Sequence, residues 1–117
     1  DVQTEPVVGW LVCIKGAEAG QNYVLKTGAN KVGRLASVND VIVAKDHQIS
    51  RKEHIVITFE PKQKRFYIQQ GEGMGLAYLN GELICGSGIL NERDRIEIGA
   101  STFVFVPLCG DKFDWND

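Results

Sequence analysis

Apolar residues in this chain fall into short runs that are separated by turn-forming Gly, Asn, Asp, Ser and Pro. No stretch of about a dozen residues keeps apolar positions at the helical period without a Gly or a turn cluster interrupting it. The pattern therefore predicts an all-β fold, an antiparallel β-sandwich of about ten to eleven short strands. The strands that can be located are residues 9–14, 23–25, 31–33, 41–43, 54–59, 65–68, 78–79, 95–98 and 102–106.

Two local patterns indicate how these strands face and turn. Residues 95–98 alternate strictly between charged and apolar, so Ile96 and Ile98 are expected to face the core. The dipeptide Asn80-Gly81 is favoured in type I′ hairpin turns, because both central residues of such a turn need positive φ. Residues 35–40 and the glycine-rich residues 71–75 are predicted to be loops.

The chain is long enough to bury one hydrophobic core. It has 117 residues, of which 44% are hydrophobic, and this indicates a single folded domain. We predict that the domain spans residues 8–107, with an N-terminal extension at 1–7 and a C-terminal tail or linker at 108–117. The longest apolar stretches, such as residues 10–14, are too short for membrane insertion. The start is polar and acidic, without a signal peptide or an initiator Met, and we expect a module of a larger protein.

Composition restricts the partners and cofactors. With 13 basic and 15 acidic residues the net charge is −2, which argues against a nucleic-acid-binding protein, although a local basic patch remains compatible. Cys13, Cys85 and Cys109 are odd in number and widely spaced, so they offer neither a complete disulfide framework nor a zinc-binding pair. We expect reduced thiols in a cytoplasmic protein, with no metal site and no cofactor.

Periodicity leads only to a β-sandwich, which is compatible with many functions. The motifs in the loops indicate the function more specifically. They are Gly33-Arg34, Ser50-Arg51 followed by His54, Asn80-Gly81, and residues 94–99. Their order and spacing resemble the forkhead-associated (FHA) domain family. Its pattern runs from Gly-Arg, through Ser-Arg-x-His and Asn-Gly-Thr-x-x-Asn-Gly, to Gly-Asp-x-Ile-x-Ile-Gly. The resemblance covers residues 8–106, nearly the whole chain.

The resemblance implies an FHA/SMAD-like sandwich that reads phosphothreonine in partner proteins with loops at one end, as a signalling or scaffold module rather than an enzyme. It assigns phosphopeptide contacts to Arg34, Ser50 and Arg51. A phosphate dianion needs charge-assisted and neutral donors on a rigid scaffold, and these side chains are of that kind. Structural support of the binding loops is assigned to Gly33, His54, Asn80 and Gly81.

The sequence departs from the family pattern at two places. Three residues separate Ser50 from His54 where the family has two, and one of them is Glu53, an anion close to the expected phosphate site. Either a one-residue bulge before the strand accommodates the extra residue, or His54 is not the counterpart of the family's histidine. The second departure is Gly75, which stands where the family carries a peptide-contacting Asn. Loss of such a hydrogen bond typically costs ~0.5–1.5 kcal/mol.

Other readings of these residues are open to test. A catalytic triad of Ser50, His54 and Asp46 would crowd one short loop, and nothing here resembles a nucleophile elbow. Lys45 and Lys52 are expected to be solvated surface charges. A metal site from His47, His54 and a Cys lacks ligand spacing, and the glycines at 71–75 lack a phosphate-loop ending.

The competing function is a degenerate FHA fold that binds partners independently of phosphate. In that case binding would use exposed apolar or strand-edge surface near Met74, Leu76 or the Trp115 tail.

Overall fold

The computed structural model describes residues 5–116, which form eleven β-strands in two sheets and contain no membrane-spanning helix. The predicted all-β sandwich is confirmed. The strands are β1 (Gly9–Lys15), β2 (Asn22–Leu25), β3 (Gly28–Gly33), β4 (Val41–Ile42), β5 (Ile55–Glu60), β6 (Arg65–Gln70), β7 (Ala77–Leu79), β8 (Glu82–Leu83), β9 (Ser87–Leu90), β10 (Arg95–Ile98) and β11 (Ser101–Pro107).

One sheet has six strands in the order β2-β1-β11-β10-β7-β8, and the other has five in the order β4-β3-β5-β6-β9. Neighbouring strands pair antiparallel except for β3 and β4, which pair in parallel through Val32 with Val41 and Gly33 with Ile42. The connecting loop therefore folds back along β3, and Asp40 holds it there. Its backbone N–H donates to Lys31 O at 2.8 Å, and its carboxylate accepts the Lys31 N–H at 2.8 Å.

The core lies between the sheets and is built from alternate strand residues. Ile96 and Ile98 are fully buried, as the alternation predicts. An aromatic cluster joins the two sheets, because Phe66 packs 4.7 Å from Phe59 within the five-stranded sheet and 4.7 Å from Phe105 of β11. Such ring pairs add about 0.5–1.5 kcal/mol each beyond the burial of their surface.

The predicted type I′ turn is confirmed between β7 and β8. Asn80 and Gly81 have φ of 50° and 85°, and Leu79 pairs with Glu82 across the turn. The Asn80 side chain also fixes the turn before β10. Its Nδ2 donates to Asp94 Oδ1 and its Oδ1 accepts the Arg95 N–H, both at 2.9 Å.

The pattern-based strand assignment missed β8 and β9. Both residues of β8 are exposed, so they carry no alternating signal. β9 contains Gly88 and only one buried residue, Leu90, and its neighbours Cys85 and Gly86 look like loop residues. Both are edge strands, where pairing is decided by neighbouring strands rather than by local propensity.

The two ends of the domain lie side by side. The backbone N–H groups of Leu108 and Cys109 both donate to Val8 O at 2.9 Å, and Cys109 is buried in the core. Trp115 Nε1 donates to Val7 O at 2.6 Å, and its ring packs edge-on against Phe113. The described part of the predicted tail thus packs back on the sandwich, while residues 1–4 and 117 of the predicted extension and tail lie outside the described residues.

Candidate functional site

Three loops meet at one end of the sandwich, and we call residues 34–40, 50–54 and 71–76 the loop cluster. The first two run side by side, since the Arg34 N–H donates to Ser50 O at 3.1 Å and the Leu35 N–H donates to Arg51 O at 3.0 Å. These bonds bring Arg34, Ser50 and Arg51, three residues predicted from the sequence, together at one place.

The third loop docks on the second through its backbone. The Gly71 N–H donates to His54 O at 3.2 Å, and the Gly73 N–H donates to Glu53 O at 2.9 Å. At Gly71 the contact is so close that an added Cβ would lie 2.0 Å from Glu53 O. Glycine at this position is therefore a packing requirement, and the run of glycines is a docked loop in this structure.

Arg34 is half-buried and its orientation is fixed. Nε donates to Ile49 O at 2.9 Å, which leaves the terminal guanidinium nitrogens for other partners. The preceding Gly33 is buried, and an added Cβ there would come within 2.6 Å of the Asn39 side chain. Glycine at 33 therefore allows Asn39 to reach between the first two loops.

Asn39 links the first two loops, and the sequence analysis did not identify it. Its Nδ2 donates to Leu35 O and to Arg51 O at 2.8 Å each, and its Oδ1 accepts the Glu53 N–H at 2.7 Å. Leu35 and Arg51 directly follow two of the predicted phosphate contacts. The only sequence signal was a turn-forming Asn-Asp pair, which does not reveal contacts twelve residues away.

His54 joins the second and third loops through its ring. It is only 1% exposed, Nδ1 accepts the Ser50 N–H at 3.0 Å, and Nε2 lies 2.8 Å from Leu76 O. Because Nδ1 is an acceptor, the proton is on Nε2, which donates to Leu76 O. Both ring nitrogens are used by backbone groups, so this arrangement does not form the triad considered from the sequence.

Gly73 and Gly75 place the third loop directly on these two residues. An added Cβ at Gly73 would lie 2.5 Å from Ser50 Oγ, and one at Gly75 would lie 2.3 Å from His54 Cε1. The backbone here occupies the space in which a side chain would begin. This gives a physical reason for the absence of the family's Asn at position 75.

Glu53 accommodates the extra residue between Ser50 and His54. It has φ of 47°, in the left-handed region, which kinks the chain just before β5. Its carboxylate accepts the Glu72 N–H at 3.0 Å, so this anion is held toward the third loop. Lys52 forms an exposed 3.1 Å ion pair with Glu72, whereas Arg51 is exposed and has no ion pair within residues 5–116.

Asp46 lies in the segment that leads to Ser50 and joins this segment to the β10–β11 turn. Its buried carboxylate accepts Ser101 Oγ–H at 2.6 Å, the Ala100 N–H at 2.9 Å and the Gln48 N–H at 2.9 Å. Burial by itself would raise the pKa of this carboxyl, but these hydrogen bonds outweigh it and hold the pKa below its ordinary value of 3.8.

Asn80 and Gly81 lie apart from the loop cluster. They occupy the turn at the far end of β7, where Asn80 bonds to Asp94 and Arg95. Among the described residues, these two positions make no hydrogen bond to the three loops. They fix the hairpin that carries β7, so they do not support the loops by direct contact.

The two-sheet topology, with loops converging at one end, is shared with solved structures of forkhead-associated (FHA) domains. The sequence model of the FHA domain matches residues 30–99, more than half of the chain, and the chain belongs to the FHA domain family. A comparison with curated proteins found no match.

Solved structures share the fold at low sequence identity. The FHA domain of the CT664 protein from Chlamydia trachomatis has a TM-score of 0.74 at 22% identity, and the match covers 85% of this chain and 96% of that one. The FHA domain of an Arabidopsis thaliana hypothetical protein has a TM-score of 0.74 at 25% identity, covering 92% of each chain. The MEK1 FHA domain, solved with a phosphothreonine peptide of HOP1, has a TM-score of 0.66 at 23% identity, covering 88% and 99%.

Proposed function

We propose that this domain binds a phosphothreonine-containing segment of a partner protein at the loop cluster and does no chemistry itself. The observation that carries this proposal is the side-by-side pairing of the first two loops. The Arg34 N–H donates to Ser50 O, and the next N–H, that of Leu35, donates to Arg51 O. Arg34, Ser50 and Arg51 are therefore neighbours across the two loops.

These three side chains supply the donors that a phosphate needs. Within residues 5–116 the terminal nitrogens of Arg34 have no hydrogen-bond partner, and its side chain is already oriented by Ile49 O, so little rotamer entropy is lost on binding. Arg51 adds a second, exposed guanidinium, and Ser50 adds a hydroxyl donor. His54 and Asn39 have a supporting role, because they fix the backbone that carries these groups.

Family membership supports the same ligand class. The FHA domains of other proteins bind phosphopeptides, and the complex of the MEK1 FHA domain with a phosphothreonine peptide is an example. For this chain we place the domain in the cytoplasm, as a signalling or scaffold module of a larger protein. Cys13 forms no disulfide within the described residues and Cys85 is an exposed thiol, which suits a reducing compartment.

A specific observation favours a second candidate function, phosphate-independent binding. Met74 is 97% exposed and Leu76 is 57% exposed, and both lie on the third loop beside Gly75, where the family's peptide-contacting Asn is missing. An apolar contact at this loop would bind a partner without requiring phosphate.

The test is binding of a degenerate phosphothreonine peptide library and of its unphosphorylated counterpart, measured by fluorescence anisotropy. Arg51→Ala is the first variant, because Arg51 is exposed and its removal should leave the fold intact. The double variant Arg34→Ala/Ser50→Ala removes the other two donors. Arg65→Ala is the matched control, since Arg65 is an exposed arginine at the opposite end of β6 from the loop cluster.

We expect micromolar, phosphate-dependent binding that weakens with added salt, falls at least about tenfold in Arg51→Ala and is unchanged in Arg65→Ala. Equal binding of both libraries, insensitive to salt and reduced by Met74→Asp, would instead establish the phosphate-independent function. No binding by folded wild-type protein would refute the phosphopeptide proposal.

A further inference from the structure

The two sheets differ in width, and the difference falls at one side of the sandwich. At the other side the edge strands β2 and β4 lie next to each other. Since one sheet has six strands and the other has five, β8 at the far edge has no strand of the other sheet opposite it within residues 5–116. The edge strand of the narrower sheet at this side is β9. A sixth strand beside β9 would make the two sheets equally wide.

A cleft of about 330 Å³ lies between β8 and β9, and we call it the edge cleft. Its apolar lining consists of Ile68, Leu79, Leu83 and Ile84. Ile68 is fully buried and Ile84 is 7% exposed, so the cleft reaches the hydrophobic core, whereas Leu83 is 48% exposed. The edge cleft is therefore an apolar opening into the sandwich, at the position that a sixth strand would cover.

Gly88 of β9 leaves this opening unfilled. It pairs with Ile68 of β6, and directly paired residues lie on the same face of a sheet, so position 88 faces the core. An added Cβ at Gly88 would meet no atom within 4 Å, and its φ lies outside the left-handed region that favours glycine. Neither packing nor strain requires glycine here. A glycine inside a strand often marks a place where another backbone approaches closely.

The outer edge of β9 offers backbone hydrogen-bonding groups. The Gln70 N–H donates to Gly86 O at 3.3 Å, so Gly88, two residues further on, also bonds to β6. The backbone N–H and C=O groups of Ser87 and Ile89 therefore point away from β6, and they have no hydrogen-bond partner within residues 5–116. Proteins usually protect such an edge with charged residues or proline, and β9 contains neither.

We infer that β9 is a docking edge for an extended segment of a partner protein, which pairs with β9 as a sixth strand and inserts a large apolar side chain into the edge cleft. Strand side chains alternate between the two faces, so the partner residue opposite Gly88 is the one that points inward. The residues opposite Ser87 and Ile89 lie on the outer surface. Main-chain hydrogen bonds supply the affinity of such a contact, and the pocket for one side chain supplies its specificity.

One charge selects among partner segments. Glu82 is the charged residue of the cleft lining, it is exposed, and it forms no ion pair within the described chain. A Lys or Arg close to the inserted apolar residue complements it. The β9 strand of a second copy does not fit, because its inward residues are Gly88 and Leu90, and Leu90 is already buried in its own core. The partner is therefore a different chain, and the inference does not rest on what the loop cluster binds.

The test uses the whole chain and fluorescent peptides of about eight residues, which have Thr at alternate positions, a central Leu and a Lys two positions from it. Twin peptides replace the Leu with Ala, replace the Lys with Glu, or carry N-methyl groups on the backbone. We expect a dissociation constant on the order of 100 µM for the Leu-Lys peptide and weaker binding of each twin. Bound peptide should also slow hydrogen exchange of the Ser87 and Ile89 amides, measured by NMR.

Two variants locate the contact. Gly88→Val fills the edge cleft without a clash and should weaken binding at least about tenfold. Gly110→Val is the matched control, since an added Cβ at Gly110 also meets no atom within 4 Å, and it should leave binding unchanged. Glu82→Lys should reverse the preference between the Lys and Glu peptides. Thermal unfolding of each variant confirms that it is folded.

The other occupants of the cleft give different results. Binding that survives N-methylation would show a site for an apolar molecule rather than for a strand. Protection of the Ser87 and Ile89 amides that rises with protein concentration in the absence of peptide would show a second copy. Either result overturns the inference, as does failure of every peptide to bind or equal binding to folded Gly88→Val.

Discussion

The backbone N–H of Ser50 donates to Nδ1 of His54 at 3.0 Å, so a predicted ligand-contacting residue is held in place by an imidazole four positions later. The same ring reaches Leu76 O at 2.8 Å. One buried side chain therefore sets the separation of the second and third loops. It does so with backbone groups, whose positions do not depend on the identity of Ser50 or Leu76.

Replacing His54 with Ala should destabilise the domain by roughly 2–4 kcal/mol, because the ring is buried and two partly buried backbone groups, Ser50 N–H and Leu76 O, lose their partner. Urea unfolding measures this, and His47→Ala, at an exposed histidine, should stay within ~0.5 kcal/mol of wild type. Nitrogen NMR of the wild-type neutral ring should show the Nε2–H tautomer. A Nδ1–H tautomer would contradict the assigned hydrogen bonds.

Restoring the family's residue with Gly75→Asn should damage the protein. The new Cβ would start 2.3 Å from His54 Cε1, and overpacking of this kind typically costs about 1–3 kcal/mol. The measurement is the free energy of unfolding, with Gly88→Ala as control because a Cβ there meets no atom within 4 Å. Unchanged stability together with tighter phosphopeptide binding would show that the third loop moves away freely.

Asn39 should control both stability and the binding predicted for the loop cluster. Asn39→Ala removes three hydrogen bonds and should cost about 1–3 kcal/mol, and it should weaken phosphopeptide binding several-fold. Asn39→Asp keeps the acceptor for the Glu53 N–H but loses both donors, so it should give an intermediate result. If affinity is unchanged in folded Asn39→Ala, the residue acts on stability alone.

Asp46 should make the free energy of unfolding decrease as the pH falls into the acid range. Its folded pKa is lowered, so its contribution is present above the unfolded value of 3.8 and is lost as pH falls through the folded pKa. Urea unfolding at pH 7 should show Asp46→Asn to be less stable by about 1–3 kcal/mol, and this gap should narrow below about pH 4. A gap that stays constant down to pH 2 would refute this assignment. Ser101→Ala, which removes one donor to this carboxylate, should reproduce part of the effect.

Most of the fold could be predicted from the sequence because most of the strands have a recognisable local pattern. Alternation at Ile96 and Ile98 and the Asn80-Gly81 turn depend on local rules, and both are confirmed. β8 and β9 carry no alternating pattern of their own, since both residues of β8 are exposed and β9 has a single buried residue. The parallel pairing of β3 and β4 also has no local signature.

The candidate site divides in the same way. Motif spacing located Arg34, Ser50 and Arg51, which the structure brings together. The residues that fix them could not be found, because Asn39 acts across twelve or more positions and a glycine's importance at 75 depends on where His54 lies. Contacts of this kind arise only when the loops have folded against each other.

The junction at Val8 O, which accepts from both Leu108 and Cys109, has an architectural consequence. An added Cβ at Gly9 would lie 3.4 Å from the Phe66 ring, at the start of β6, so this junction is remote from the loop cluster at the other end of that strand. The first and last strands of the sandwich therefore begin and end next to each other, at the end of the molecule opposite the loop cluster. A host polypeptide can accept such a unit at a single surface turn without separating its own flanking segments.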